Sequence, residues 1–266
     1  MKAYRKISLL LVLSLLLLVV LAGTYAYSKY VAVAVVPGEL DVAVWSIKVN
    51  GCNIVNPEEN DPSIADECFE KGPSRDDPTI IETTKNFRIT DANISYYPLD
   101  NEELVGIRKI APGTEARFNI TIDPGLTDAA FKYELNAWFD GNNDFIKLYA
   151  IPLDENEVPI KDADGNEVTH EISREKPYVD TILFSEDETI SRIHRLQVKV
   201  VWENDPTGAT DITDTEIGTN LGENGEAPIM EIPVLITFNQ ITSEKELEEA
   251  INGSTSNVAN SVANNK

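Results

Sequence analysis

Apolar and polar residues alternate with a period of two from Leu40 onward. In residues 40–49, LDVAVWSIKV, the side chains of Trp45, Ile47 and Val49 share one face. RFNITI sets Phe118, Ile120 and Ile122 against Arg117, Asn119 and Thr121, and AFKYELNAW sets Phe131, Tyr133, Leu135 and Ala137 against Lys132, Glu134 and Asn136. RLQVKVVWE turns Leu196, Val198, Val200 and Trp202 to one side, and IMEIPVLITFNQ aligns Met230, Ile232, Val234, Ile236 and Phe238. This is the pattern of half-buried strands. Pro233 falls on the opposite face of the last run and has no amide donor, which predicts an edge strand or a bulge there.

Turn-forming clusters separate these runs: DPG at 123–125, DGNND at 140–144, DADGN at 162–166, and a long acidic connection over 204–228. No long amphipathic helix interrupts them, so the fold class is all-β, an antiparallel jelly-roll-like β-sandwich over 40–242. One short C-terminal helix is predicted within 243–266, where Ser243 and Glu246 form a capping box ahead of EKELEEAI; a small, polar tail follows it.

The N-terminus has a different pattern. Lys2, Arg5 and Lys6 precede the apolar run Leu9–Ala22, and Gly23-Thr24-Tyr25-Ala26 supplies small residues behind it. This predicts a signal peptide over 1–26, cut by a signal peptidase between Ala26 and Tyr27. The rival, an uncleaved anchor, needs about 20 apolar residues to span a membrane. Beyond the cut lies an arm, 27–39, that begins YSKYVAVAVV. Extended, it puts Tyr30, Ala32, Ala34 and Val36 on one face and Val31, Val33 and Val35 on the other, so it is apolar on both sides. Such an arm, starting at Tyr27, is suited to completing a neighbour's sheet. It can also fold back as the first strand of its own sandwich.

Charge narrows the partners. Losing residues 1–26 removes three of the 22 Lys+Arg and none of the 45 Asp+Glu, so the net charge moves from −23 to −26. Nucleic acid is excluded as a partner, because its binding rests on basic patches. The two cysteines, Cys52 and Cys68, read as a disulfide holding a surface loop. Asn93, Asn119 and Asn252 head N-x-S/T sequons and are candidate glycosylation sites in a host that modifies exported asparagine.

The candidate chemistry is sparse. His170 and His194, in THEIS and RIHRL, do not form His-Glu-x-x-His, and no Gly-x-Ser-x-Gly occurs. No catalytic residue is assigned and the chain is not read as an enzyme. No cofactor is assigned either, although calcium is a candidate at Asp140, Asn142 and Asp144 and at Asp162 and Asp164. Both clusters lack the spacing of an EF-hand, and Asx-stabilised turns explain them more economically.

A signal ending GTYAY, the strand VAVWSIKVNG, the turn-and-strand IAPGTEARFNITI, and the late pair VKVVWEND…DTEIG followed by IPVLITFNQ together resemble the TasA/camelysin-like family of exported proteins. These are biofilm-matrix fibre subunits with a signal peptide of the SipW-dependent type. The resemblance implies a jelly-roll sandwich that polymerises by donor-strand exchange with copies of itself or a related fibre subunit, secreted into the extracellular matrix or held at the cell surface. The Cys52/Cys68 loop departs from the typical fibre protein. The alternative is a membrane-anchored monomeric cell-surface module that binds a ligand or cation.

Overall fold

The computed structural model describes residues 45–72, 79–89, 95–98, 110–140, 145–185, 191–203 and 230–254. The predicted signal peptide with its Ala26–Tyr27 junction, the arm carrying Tyr30, Val31, Val33 and Val35, and Asn93, Asn142 and Asp144 lie outside the described residues.

Two antiparallel sheets form a sandwich, as the alternation predicts. The first contains β1 (Lys48–Val49), β2 (Cys52–Asn53), β5 (Ser95–Pro98), β6 (Thr114–Asp123), β8 (Ile146–Leu153), β9 (His170–Ile172) and β11 (His194–Trp202). Its order is β2-β1-β6-β11-β8-β9, with β5 also on β6. The second contains β3 (Glu70–Lys71), β4 (Ile80–Arg88), β7 (Phe131–Ala137), β10 (Tyr178–Ile182) and β12 (Glu231–Gln240), in the order β10-β7-β12-β4-β3. From β6 through β12 the successive strands mostly fall in alternate sheets, so the chain crosses between layers in a jelly-roll-like manner.

The apolar faces read from the sequence are the faces that pack together. Phe118, Ile120 and Ile122 of β6 and Leu196, Val198 and Val200 of β11 are buried against Phe131, Tyr133 and Leu135 of β7 and Ile232, Val234, Ile236 and Phe238 of β12. Each such side chain contributes about 1.5–3 kcal/mol by leaving water. Phe87 of β4 stacks on Phe118 of β6 at 4.1 Å between ring centroids, a contact that spans the two sheets. Strand β6 begins at a tight turn in which Thr114 N–H donates to Ala111 O at 3.0 Å. Pro112 fits its second position, and Gly113 takes the positive φ of 82° that the third requires.

Pro233 corrects an expectation. It lies not at an edge but in β12, a central strand paired with β4 on one side and β7 on the other. The Trp138 N–H donates to Pro233 O, so the main-chain polar groups of Pro233 point toward the β7 side. There the ladder has already ended at Val234↔Ala137, and no donor is needed. A proline is therefore accommodated in a central strand where one neighbour stops short.

The C-terminal helix, α1 (Glu244–Gly253), starts where predicted: Ser243 Oγ accepts from Glu246 N–H at 3.2 Å. The Glu246 carboxylate reaches one residue further back than a capping box requires, accepting from Thr242 N–H at 2.8 Å. On the outer face of the first sheet, Arg117 bridges Glu115 at 2.8 Å and Glu167 at 2.9 Å, and also donates to Gln197.

Candidate functional site

Cys52 and Cys68 are joined in a disulfide. The segment between them forms two 3-10 turns, Pro57–Glu59 and Pro62–Glu67, and is more than a surface loop, because Ile54 is buried in the core. Asp162 Oδ1 accepts from the N–H groups of Asp164 and Asn166, each at 2.9 Å, so this carboxylate closes its own turn. These bonds also hold its pKa below the usual carboxylate range. Asp140 accepts from Trp138 Nε1 at 2.9 Å and from Arg174 at 2.7 Å. Among the described residues no group of three or more His, Cys, Asp or Glu is placed to hold a metal ion. Asn119 lies mid-strand with its side chain bonded to Gln197, and Asn252 is exposed on α1.

The sequence periodicity does not reveal Asp180, a buried carboxylate that links both sheets and the C-terminal helix. In YVDTI, the run that forms β10, Asp180 is in phase with Tyr178 and Ile182, and all three are buried. Burying a charge requires partners on every lone pair. Asp180 Oδ1 accepts from its neighbour Thr181 N–H at 2.8 Å and from Ser254 Oγ, just beyond α1, at 2.7 Å. Asp180 Oδ2 accepts from Tyr178 OH at 3.3 Å and faces His194 Nδ1 of β11 at 3.3 Å. Tyr133 OH lies 3.1 Å from the same His194 nitrogen. Burial, with Tyr178 and Asp180 close by, pushes the Tyr133 hydroxyl well above its ordinary pKa and keeps it protonated.

Both histidines belong to this cluster, though nothing in their sequence spacing links them. The His170 ring lies 5.4 Å from that of Tyr178, and His170 Nε2 is buried without a hydrogen-bond partner. Burial lowers the His170 pKa, partly offset by Asp180 and reinforced by Lys176. Arg192, a neighbour of His194 in sequence, is turned away and donates to the carbonyls of Gly125 and Thr127.

A cavity of about 290 Å³ opens beside the cluster. Tyr133, Tyr178, Asp180 and His194 form one side; Pro152, Leu153, Ile160, Ile193 and Leu196 form an apolar wall. Asp180 Oδ2 and Tyr133 OH both face His194 Nδ1, so the ring is held from that edge. The ring keeps 26% of its side-chain surface exposed. The arrangement provides a half-open pocket whose polar side is held in place, because its groups already contact one another.

No family model matches the chain, and no curated protein matches it. Among solved structures it aligns with a family two carbohydrate esterase from Cellvibrio japonicus at 7% identity and a TM-score of 0.19, over 60% of this chain and 34% of that one. It also aligns with the VP2 subviral particle of infectious bursal disease virus at 9% identity and a TM-score of 0.18, over 65% and 43%. The chain spans less than half the length of each, and neither likeness bears on what it does.

Proposed function

We propose that this chain is an exported structural subunit of an extracellular fibre or matrix, assembling with copies of itself or a related subunit through the arm at 27–39. The Cys52–Cys68 disulfide carries the exported part of this reading, because such bonds persist in oxidising compartments. Assembly is supported by the sequence of the arm, apolar on both faces, together with a sandwich whose sheets can be extended by strand addition. Among the described residues, one edge of β6 is paired near its two ends and not between them. β5 pairs with its start and β1 with its end, and Thr121 turns its N–H and C=O toward Asn50 on the same side. Residues two apart point the same way, so the main chain of Asn119 faces the gap between β5 and β1.

Electron microscopy of the secreted fraction, with N-terminal sequencing, tests the proposal. Filaments whose subunits begin at Tyr27 are expected, and deleting 27–36 should leave a folded, secreted monomer. Solitary particles from the intact protein, or fibres from the truncated one, overturn it. A second reading, an anchored monomeric surface module that binds a ligand, is favoured by the cavity beside His194. A membrane-bound fraction with Met1 intact would select that reading.

A further inference from the structure

We propose that the cavity bounded by β8, β10 and β11 binds a small organic cation: a primary or secondary ammonium on a short apolar stem. This stands whether or not the chain polymerises. The apolar wall of Pro152, Leu153, Ile160, Ile193 and Leu196 gives the stem a surface to leave water against, and at about 290 Å³ the space suits a small ligand.

Hydrogen-bonding capacity selects the head group. The donors of Tyr178 and Ser254 and the Thr181 N–H are directed at Asp180, so they are not offered to a ligand in the cavity. Around the mouth, Asp154 and Glu155 add carboxylates, while Arg195 is the cation among the cavity residues apart from His194. Negative charge therefore outweighs positive charge among the cavity residues, and the net charge of −23 adds a long-range field of the same sign. An anion would meet three carboxylates and one arginine. A hard divalent ion would need several converging oxygens, but Asp154 Oδ1 already accepts from the N–H groups of Asn156 and Val158. An N–H donor bearing one positive charge is what remains.

The test uses the full-length protein and three probes of matched size: n-butylammonium, n-butanol and butyrate. Binding is followed by the nitrogen resonances of His194 and by thermal shift. Butylammonium is expected to move the His194 Nε2 signal saturably, with a dissociation constant in the millimolar range, and to raise Tm; the other two should bind at least about tenfold more weakly. Glu155→Gln should weaken butylammonium binding about two- to fivefold and Arg195→Gln should tighten it by a similar factor, the scale of exposed charge pairs. Ile193→Trp, which fills the mouth from a half-buried position, should abolish it. Equal binding of butanol or butyrate, charge variants acting in the reverse sense, binding that survives Ile193→Trp, or no saturable response to butylammonium would each overturn the proposal.

Discussion

His194 Nδ1 lies 3.3 Å from Asp180 Oδ2, and the two residues belong to opposite sheets of the sandwich. The same carboxylate accepts from Ser254 at the end of α1, so one buried side chain ties together both layers and the C-terminal helix. Elsewhere the layers are held by apolar contacts such as Phe87 on Phe118. Apolar contacts are non-directional; the Asp180 contacts fix a particular geometry.

Asp180→Ala is therefore expected to destabilise the protein by about 3 kcal/mol, because it strands several buried donors at once. Asp180→Asn keeps a carbonyl acceptor and should cost less, about 1–2 kcal/mol. Urea unfolding at pH 7 measures both. A loss under about 1 kcal/mol for the alanine variant would show that these donors find water instead.

The His170 ring gives a pH dependence whose sign follows from its surroundings. Its pKa in the folded chain is lowered by burial, so the unfolded chain binds this proton more readily. The associated stability is present above the unfolded value of about 6.5 and is lost as pH falls below it toward the folded value. His170→Phe removes the titration along with a buried nitrogen that has no partner. The variant's urea midpoint should fall less than the parent's between pH 7 and pH 5. Parallel midpoints in the two proteins would dismiss the assignment.

The sandwich was legible because in β6, β7, β11 and β12 the large apolar residues fall on alternate positions and pack into the core, which imprints a period of two on the sequence. β8 and β10 are harder to read, since IKLYAIPL carries apolar residues on both faces near its end and YVDTI puts an acid in phase with its apolar ones. The β1–β2 hairpin left a signal that went unused: Asn50–Gly51, with φ of 51° and 82°, is the dipeptide that a two-residue hairpin turn demands. Asp180 also left a trace, as an acid in phase with the apolar residues of its strand. Its partners His194 and Ser254 come from distant parts of the chain, and only the packing of β10 against β11 and α1 brings them together.

The Cys52–Cys68 bond closes a loop with a sequence separation of 16. Constraining a loop of that length in the unfolded chain is worth about 3 kcal/mol. Reduction, or paired replacement by alanine, should lower the unfolding free energy by that order in guanidinium titrations. Loss should be concentrated near Ile54, within the crosslinked segment, and Phe69, just beyond it, both of which sit in the core. Hydrogen exchange that opens uniformly across both sheets on reduction would contradict this local role.

Arg117 sits on the outer face of the first sheet with only 14% of its side chain exposed, beside Glu115 at 7% and Glu167 at 29%. Burial opposes its charge, but Glu167 and Glu115 outweigh this and raise its pKa. In turn Arg117 holds the Glu167 carboxyl below its ordinary range. Arg117→Met keeps the apolar stem and removes the charge, leaving Glu115 shielded from water without its partner. We expect a loss of about 2–3 kcal/mol at pH 7. Because the Glu167 pKa is depressed in the folded state, its contribution is present above the unfolded value of about 4.3 and fades as pH falls below it. The gap between parent and variant should therefore narrow in acid. Replacing Glu115 and Arg117 together by methionine should cost less than Arg117→Met alone, since no buried carboxylate is then left uncompensated; a double variant that loses as much or more would place the stability of this face in its packing rather than in its ion pairs.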